Sequence, residues 1–219
     1  MDVYEALYTT RAMRRVKPDP IPEETQARIL DAAIRAPTGG NAQGWRFMLI
    51  DDKEVMAKLG PVYRDCMERM FATIYGEALA AANKDPDAPE NVELLKMHRS
   101  ASYMGENFEG YPLILAAFSQ GGDGGSIFPG VWNAMLAARA EGIGSTITSL
   151  IAMERDKLFE ILGVPTDQGW QFACLVPMGY PTGRWGVAPR RPVHEVSYKN
   201  QWGSPLDFEV PEPLWSQGS

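Results

Sequence analysis

Three short apolar runs constrain the fold most, because each is too short for a typical buried helix and long enough for a buried strand. They cover residues 45–50, 112–118 and 172–177, and helical patterns of very different lengths separate them. Regular doubly wound βαβ units would have similar connections between successive strands. The unequal spacing therefore favours an α+β fold, arranged as a three-layer α-β-α sandwich with helices on both sides of the sheet.

Helical periodicity predicts the elements around these strands. Val3 and Leu7 share one face of a short helix, and Pro22 followed by two glutamates marks the start of the next. A polar break at 83–89 divides the long stretch between the first two strands, so 61–107 is predicted to be a helical excursion from the sheet. The pair 51–52 marks a helix start after the first strand. The other predicted helices are 3–10, 22–36, 61–82, 90–107, 128–141 and 153–162, with further strands at 145–148 and 193–198.

The length and composition are those of one domain. A chain of 219 residues with 45% hydrophobic residues can bury an ample core, and its glycines and prolines are spread over turns. We therefore expect a single domain over 1–203. The tail 204–219 is rich in proline and carries Phe208, Leu214 and Trp215, which predicts an extended apolar arm that lies on a surface.

Charge and cysteine content restrict the partners and the compartment. A net charge of −7 repels nucleic acid and anionic membranes, so neither is expected as a partner. Cys66 and Cys174 form no C-x-x-C pattern, no signal peptide is readable, and no apolar run reaches the ~20 residues of a membrane span, which together predict the cytoplasm. His98 and His194 lack metal-ligand spacing, and G-x-S-x-G is absent, so neither a metal nor a catalytic nucleophile is predicted.

Two cationic motifs point to a phosphate. Arg11, Arg14 and Arg15 lie within five residues, and Arg190 and Arg191 stand between two prolines. Guanidinium groups bind phosphate in a bidentate manner and stay charged at any working pH. A solvated run of charges is the alternative. Threonines before the first motif and a Pro-x-Pro sequence after it favour a phosphate-binding loop.

The stretch 36–45 offers backbone and amide groups to a ligand. Its two glycines allow close approach to the main chain, and Asn41 and Gln43 can each donate and accept hydrogen bonds. Neither the Walker pattern nor G-x-G-x-x-G is present, so no standard nucleotide motif applies. An ordinary turn from helix to strand is the alternative.

A further candidate segment, 141–150, runs from a helix through a strand into a loop. Thr148 and Ser149 in that loop could place hydroxyl and N–H groups near a ring. A plain strand end is the alternative reading of the same residues.

Together, these segments resemble the nitroreductase family of FMN enzymes. The stretch 10–16 matches the family's N-terminal basic motif, although Ala12 stands where serine is usual and Val16 where an aromatic is usual. The stretch 36–45 matches the second motif, with Gly44 in place of the usual proline. Residues 142–145 and the loop after them are similar to the segment that lies against the isoalloxazine ring, and 189–192 is similar to the late cationic motif. The resemblance covers about 3–203.

The resemblance implies a mostly antiparallel sheet in an obligate, intertwined homodimer with two FMN sites at its interface. One subunit supplies the stretch 37–43 and the other supplies the basic motifs, while the helix 128–141 lies near the dimer axis. The implied cofactor contacts are Arg11, Ala12, Met13, Arg14, Arg15, Pro37, Thr38, Gly39, Asn41, Gln43, Thr148, Ser149, Leu150, Ile151, Arg190 and Arg191.

The resemblance also implies the activity. NADH or NADPH reduces the bound FMN and leaves, and a flat, electron-poor acceptor such as a nitroaromatic compound or a quinone is then reduced by a ping-pong mechanism. A dehalogenase, a flavin-cleaving enzyme or an enoate-type reductase on the same fold is an alternative, as is an FMN storage or carrier protein without turnover. A flavin-free interaction module is the third reading.

Four aromatic residues of the helical excursion are candidates for the acceptor site. Phe71, Tyr75, Tyr103 and Phe108 could line a mobile lid and stack on a flat substrate. The alternative is that they pack the core of the excursion.

Overall fold

The computed structural model describes residues 1–121 and 124–209. Within these ranges it has seven α-helices and four β-strands. In chain order they are α1 (Val3–Thr9), α2 (Glu23–Ala33), β1 (Trp45–Ile50), α3 (Lys53–Thr73), α4 (Gly76–Ala82), α5 (Pro89–Glu106), β2 (Leu113–Gln120), α6 (Ile127–Ala140), β3 (Gly144–Ser145), α7 (Arg155–Leu162) and β4 (Trp170–Gly179).

The strands form one antiparallel sheet in the order β1-β2-β4-β3. Trp45 pairs with Ser119 at one end of the sheet, and Leu113 pairs with Met178 at the other. The α+β architecture with a mostly antiparallel sheet is therefore confirmed.

Two apolar cores lie on the two faces of the sheet. Alternate residues of β2 serve different cores, because successive side chains of a strand point to opposite faces. Leu113 and Leu115 join the core formed with α2 and α6, whereas Ile114 and Phe118 join the core formed with α3, α5 and α7. This arrangement places the sheet between two helical layers, as the sequence predicted.

A helix starts after Asp52, as predicted, but its extent and the break after it differ from the prediction of a long helix over 61–82. Asp52 caps α3 by accepting hydrogen bonds from the N–H groups of Glu54 at 2.7 Å and Val55 at 3.1 Å, so the helix begins at Lys53 and runs through Pro61. Proline disfavours a helical conformation of the preceding residue in part through a clash with its Cβ, and Gly60 has none. The helix then ends at Thr73, and α4 follows as a separate helix.

Two predicted strands are shorter or absent. The observed β3 contains only Gly144 and Ser145, so Ser145 is the one residue that it shares with the predicted strand 145–148. Thr148 makes a single bridge to Leu175. The stretch 193–198 is not a strand. Pro192 has no N–H to donate, and the residues after it form a 3₁₀ turn, Val193–Glu195.

The tail prediction falls mostly outside the described residues. Leu214 and Trp215 lie there, whereas the described Phe208 is 58% exposed. Among the helices of the described ranges, none combines the length and the apolar content that crossing a membrane requires.

Candidate functional site

The basic segment, residues 11–15, lies extended beside the end of the sheet at which β3 begins. Its Met13 N–H donates to the Ser145 carbonyl at 3.0 Å, and the Arg15 carbonyl accepts from the Thr182 N–H at 3.0 Å. Ala12 also bridges Ser145 in the parallel sense. A Cβ on Gly144 would come within 2.8 Å of the Met13 Cβ, so this close approach requires glycine. The fold thereby joins the basic segment to the start of the loop 146–151.

The cations of this region have no carboxylate partners in the part of the chain that the structure describes. Arg11 donates to the Arg184 carbonyl at 2.9 Å, Arg14 to Ser100 Oγ at 3.3 Å, and Arg190 to the Pro189 carbonyl at 2.8 Å. A cavity of about 220 Å³ is lined by 11–15 together with Ser100, Thr182 and Gly183. In a chain of net charge −7, a cluster of unneutralised guanidinium groups is suited to an anionic ligand.

A buried hydroxyl at the start of this region also lacks a partner. Thr10 Oγ1, directly before Arg11, is buried and makes no hydrogen bond within the described residues. Such groups are rare in folded proteins because leaving them unpaired costs free energy. A ligand that supplies acceptor oxygens near the basic segment would suit this hydroxyl.

The late cationic motif lies on the same flank of the molecule as the basic segment. Arg190 and Arg191 line a groove of about 450 Å³ together with Leu7 and Tyr8 of α1. The chain just before this motif already contacts Arg11 through the Arg184 carbonyl. The structure therefore connects the chain before the late motif to Arg11, and a shared role of the two cationic motifs at one ligand stays a prediction.

The loop after β3 is fixed to β4 and to the interior. Thr148 exchanges main-chain hydrogen bonds with Leu175 at 2.9 and 2.8 Å. Its hydroxyl lies 3.1 Å from the Tyr63 hydroxyl and accepts from the Leu150 N–H at 3.4 Å. Ser149 is exposed, whereas Ile151 is fully buried. The Thr148 hydroxyl thus already has protein partners, and Ser149 is the polar side chain that this loop presents outward.

The segment 37–43 is an exposed, tightly wound turn between α2 and β1. Asn41 and Gln43 both have positive φ, at 54° and 50°. Thr38 Oγ1 accepts from the Gln43 N–H at 3.2 Å, and the Gln43 amide donates to Asn41 Oδ1 at 3.1 Å. Pro37, Gly39, Asn41 and Gln43 are all exposed. Non-glycine residues in this left-handed region cost free energy and often mark functional sites.

This turn lies far from the basic segment within one protomer. Gly44 accepts from the Gln120 N–H, and Gln120 pairs with Trp170, whereas Ser145 pairs with Met178. Trp170 and Met178 are eight residues apart on β4, which is about 26 Å at the rise of a strand. The two segments also lie at opposite edges of the sheet, about 14 Å apart across three strand spacings. One protomer does not bring them together.

The four aromatic candidates of the excursion occupy different environments. Tyr103 is half-buried beside the basic segment, and the Arg15 guanidinium lies 4.3 Å from the centre of its ring. Phe71 packs against Tyr75 at 5.8 Å and His98 at 4.5 Å. Phe71 is buried and Phe108 is 0% exposed, so both belong to the core in this conformation. Contact of the set with an acceptor stays a prediction.

Sequence reasoning did not identify two tyrosines that contact the candidate segments. Tyr63 reaches Thr148, and the Tyr111 hydroxyl donates to the Arg14 carbonyl at 2.6 Å. Burial raises the pKa of both phenols, so they stay protonated at neutral pH. These contacts join residues 85 and 97 positions apart, and no local motif marks them.

Comparison with known proteins gives a consistent family assignment. A sequence model described as the nitroreductase family matches residues 7–180. A 5,6-dimethylbenzimidazole synthase from Rhodospirillum rubrum is 30% identical over 196 residues, which cover 82% of each chain.

Solved structures support the same fold. Oxidised iodotyrosine deiodinase, bound to FMN and 3-iodo-L-tyrosine, has a TM-score of 0.70 at 20% identity, over 88% of this chain and 96% of that one. The FMN-dependent nitroreductase NfnB from Mycobacterium smegmatis, in complex with NADPH, has a TM-score of 0.65 at 22% identity, over 90% and 97% of the two chains. The protein therefore has the nitroreductase fold and belongs to the nitroreductase family.

Proposed function

We propose that this protein is an FMN-dependent oxidoreductase that uses NADH or NADPH to reduce a flat, electron-poor acceptor such as a nitroaromatic compound or a quinone. The observation that carries the proposal is the basic segment. Its guanidinium groups have no carboxylate partners in the described chain, and its main chain is bonded to the loop that would face the ring. Solved relatives of the same fold bind FMN, and one of them binds NADPH.

The residues present fit a phosphorylated flavin. Arg11, Arg14 and Arg190 supply fixed donors for a phosphate, and the unpartnered Thr10 hydroxyl lies at the start of the same segment. Ala12 supplies no hydroxyl at its own position, so Thr10 is the nearest side-chain alternative. The loop N–H groups around Ser149 can donate to a ring edge.

FMN, when bound, supplies the redox chemistry by accepting a hydride and passing electrons to the acceptor. The chain's own residues then have two tasks. The cations and loop N–H groups hold the cofactor and stabilise negative charge that develops on it. The half-buried face beside Tyr103 orients a flat substrate. No side chain acts as a nucleophile.

The proposed site needs two copies of the chain. The turn 37–43 and the basic segment are too far apart in one protomer to contact one flavin, so the turn must come from a partner. An apolar surface is available for that contact, because Phe128 and Trp132 of α6 are 46% and 39% exposed and Tyr4 and Leu7 of α1 are 60% and 42% exposed. We propose a homodimer with α6 near its axis.

A different reaction at the same site is the second candidate. The 30%-identical relative is a synthase of 5,6-dimethylbenzimidazole, and a solved neighbour is a deiodinase. The deiodinase was solved with FMN bound, which supports a flavin enzyme for this second candidate as well.

Anaerobic reduction of the purified protein tests the proposal. We expect a yellow protein that releases FMN on heating and whose flavin absorbance is bleached by NADH or NADPH within seconds. A panel of nitroaromatics, quinones and halogenated phenols then identifies the acceptor from reoxidation of the reduced protein. A colourless protein, or release of FAD, would contradict the cofactor. If neither NADH nor NADPH reduces the bound FMN, the protein is a storage protein or an enzyme with a different electron donor.

A further inference from the structure

Two buried tyrosines connect the helical excursion with the proposed flavin site without belonging to it. Tyr63 lies on α3, and Tyr111 lies just after the excursion, before β2. Each is 2% exposed, and each hydroxyl is bonded to a different cofactor segment. The inference that follows rests on the proposed function.

Tyr111 fixes the main chain of the basic segment. A carbonyl can only accept, so the 2.6 Å contact assigns the Tyr111 proton to the Arg14 carbonyl. On the other side of the segment, the Met13 N–H and the Arg15 carbonyl are held by Ser145 and Thr182. Hydrogen bonds thus hold the main chain between Arg11 and Arg15 from three directions. They fix the backbone positions from which the arginine side chains extend.

Tyr63 belongs to a directed chain of hydrogen bonds that begins in the loop after β3. The Leu150 N–H donates to Thr148 Oγ1, which lies 3.1 Å from the Tyr63 hydroxyl. The Tyr63 hydroxyl in turn lies 3.6 Å from Met104 Sδ. If Thr148 donates to Tyr63 and Tyr63 donates to Met104, each of these protons has an acceptor. In the reverse direction, the Thr148 proton has no acceptor among the described residues. The structure therefore favours a relay that runs from the loop into the excursion.

Phe108 packs against both tyrosines and so connects them. Phe108 stacks on Tyr63 with ring centres 4.3 Å apart, and its edge approaches Tyr111 at 6.3 Å. Phe108 has no exposed surface. Movement of α3 or of the chain around 108 would therefore displace both hydroxyl groups and both cofactor segments together.

We propose that Tyr63 and Tyr111 are positioning residues for the cofactor, which couple the packing of the helical excursion to FMN binding. They hold the Thr148 loop and the Arg14 main chain in the geometry that the flavin needs. Because such coupling is reciprocal, bound FMN must also stabilise the excursion.

The test compares Tyr63→Phe and Tyr111→Phe in the holoprotein with Tyr198→Phe as the control. Tyr198 is half-exposed, packs on Trp202 at 5.2 Å, and lies outside both cofactor segments. The release of FMN on dilution, followed by flavin fluorescence, gives the dissociation constant. We expect each test variant to bind FMN about three- to tenfold more weakly, the scale of one neutral hydrogen bond, and the control to be unchanged.

Two further measurements separate positioning from general stability. FMN should slow hydrogen exchange in α3 and α5 of the parent protein, and this protection should shrink in Tyr63→Phe and Tyr111→Phe. Tyr63→Phe combined with Thr148→Val should weaken binding no more than either change alone, because Tyr63 acts through Thr148.

The outcomes also separate this inference from the proposed function. A parent protein that holds no FMN would overturn both. A parent that binds FMN, with tyrosine variants that lose melting temperature but keep the parent dissociation constant and exchange protection, would overturn the positioning role alone. Should a single variant fail to fold, the other variant and Thr148→Val decide the question.

Discussion

Replacing Arg11 by alanine tests the proposal that Arg11 binds the FMN phosphate, because this side chain is exposed and contributes little to the packing of the fold. One of its N–H groups donates to the Arg184 carbonyl at 2.9 Å. No carboxylate of the described chain lies within 4.0 Å of this guanidinium. Its removal therefore leaves no charge unpaired. We expect the stability of the flavin-free protein to change by less than about 0.5 kcal/mol, the usual range for such surface substitutions.

The loss should appear in cofactor binding. A hydrogen bond between charged groups contributes about 1.5–3 kcal/mol, which corresponds to FMN binding about 10- to 150-fold weaker. Arg11→Lys keeps the charge but loses the bidentate geometry, so its affinity for FMN should lie between those of the parent and Arg11→Ala. Higher salt should weaken FMN binding more in the parent than in Arg11→Ala, since phosphate contacts are screened.

Fluorescence titration of FMN, with Lys96→Ala as the control, measures these effects. Lys96 is an exposed cation on α5 that pairs with Glu93 at 3.4 Å, so its removal changes the net charge equally without touching the basic segment. An Arg11→Ala variant that keeps full FMN after dialysis, with an affinity equal to that of Lys96→Ala, would refute the assignment.

Three other predictions follow from the same structure. Light scattering should give twice the chain mass of 24.2 kDa, and Trp132→Asp should give a monomer that also loses FMN, because a charge on the apolar α6 face opposes the dimer; a monomeric parent would contradict the shared site. Burial raises the pKa of the Cys174 thiol to about 12 from the usual 9.0, so the folded state keeps a proton that the unfolded chain loses. Stability should then fall as the pH rises from 9 towards 12, and melting curves of Cys174→Ala should show less of this loss. Tyr103→Leu should change the kcat/KM ratio between a nitroaromatic and a quinone while FMN stays bound, whereas Phe108→Leu should lower the melting temperature first; the opposite pattern would exchange their roles.

Local patterns in the sequence predicted most of the elements. The apolar run 45–50 matches β1, and the runs at 112–118 and 172–177 lie within or almost within longer strands, β2 and β4. Burial on both faces of β2 made its signal strong, because nearly every residue of that strand is apolar. These successes rest on short-range information that a single sequence contains.

One failure has a local cause in Pro192, whereas two others involve contacts between distant segments. The continuity of α3 through Pro61 depends on Gly60, which packs closely against Glu109 from a distant turn. The partner of β3 on the side away from β4 is also distant in sequence, because the Ser145 carbonyl accepts from the Met13 N–H. Neither contact has a local signature.

The candidate site shows the same division. Clustered arginines and an Asn-x-Gln turn can be identified from the sequence, but their separation by the whole length and width of the sheet cannot. Likewise, the sequence does not reveal that the Thr148 hydroxyl lies 3.1 Å from the Tyr63 hydroxyl. Which way a hydroxyl points depends on partners that are 85 positions away.

The excursion illustrates how burial divides residues that the sequence treats alike. The sequence alone does not distinguish four aromatic side chains of this region: Phe71, Tyr75, Tyr103 and Phe108. In the fold, Phe108 fills the space between two positioning tyrosines, and Phe71 packs under His98. Tyr103 alone among the four contacts the basic segment within the described chain, through Arg15. An acceptor that stacks near the flavin would contact the Tyr103 ring before the other three. Differences in acceptor preference should therefore depend on Tyr103 and on Arg15, whose guanidinium packs on its ring.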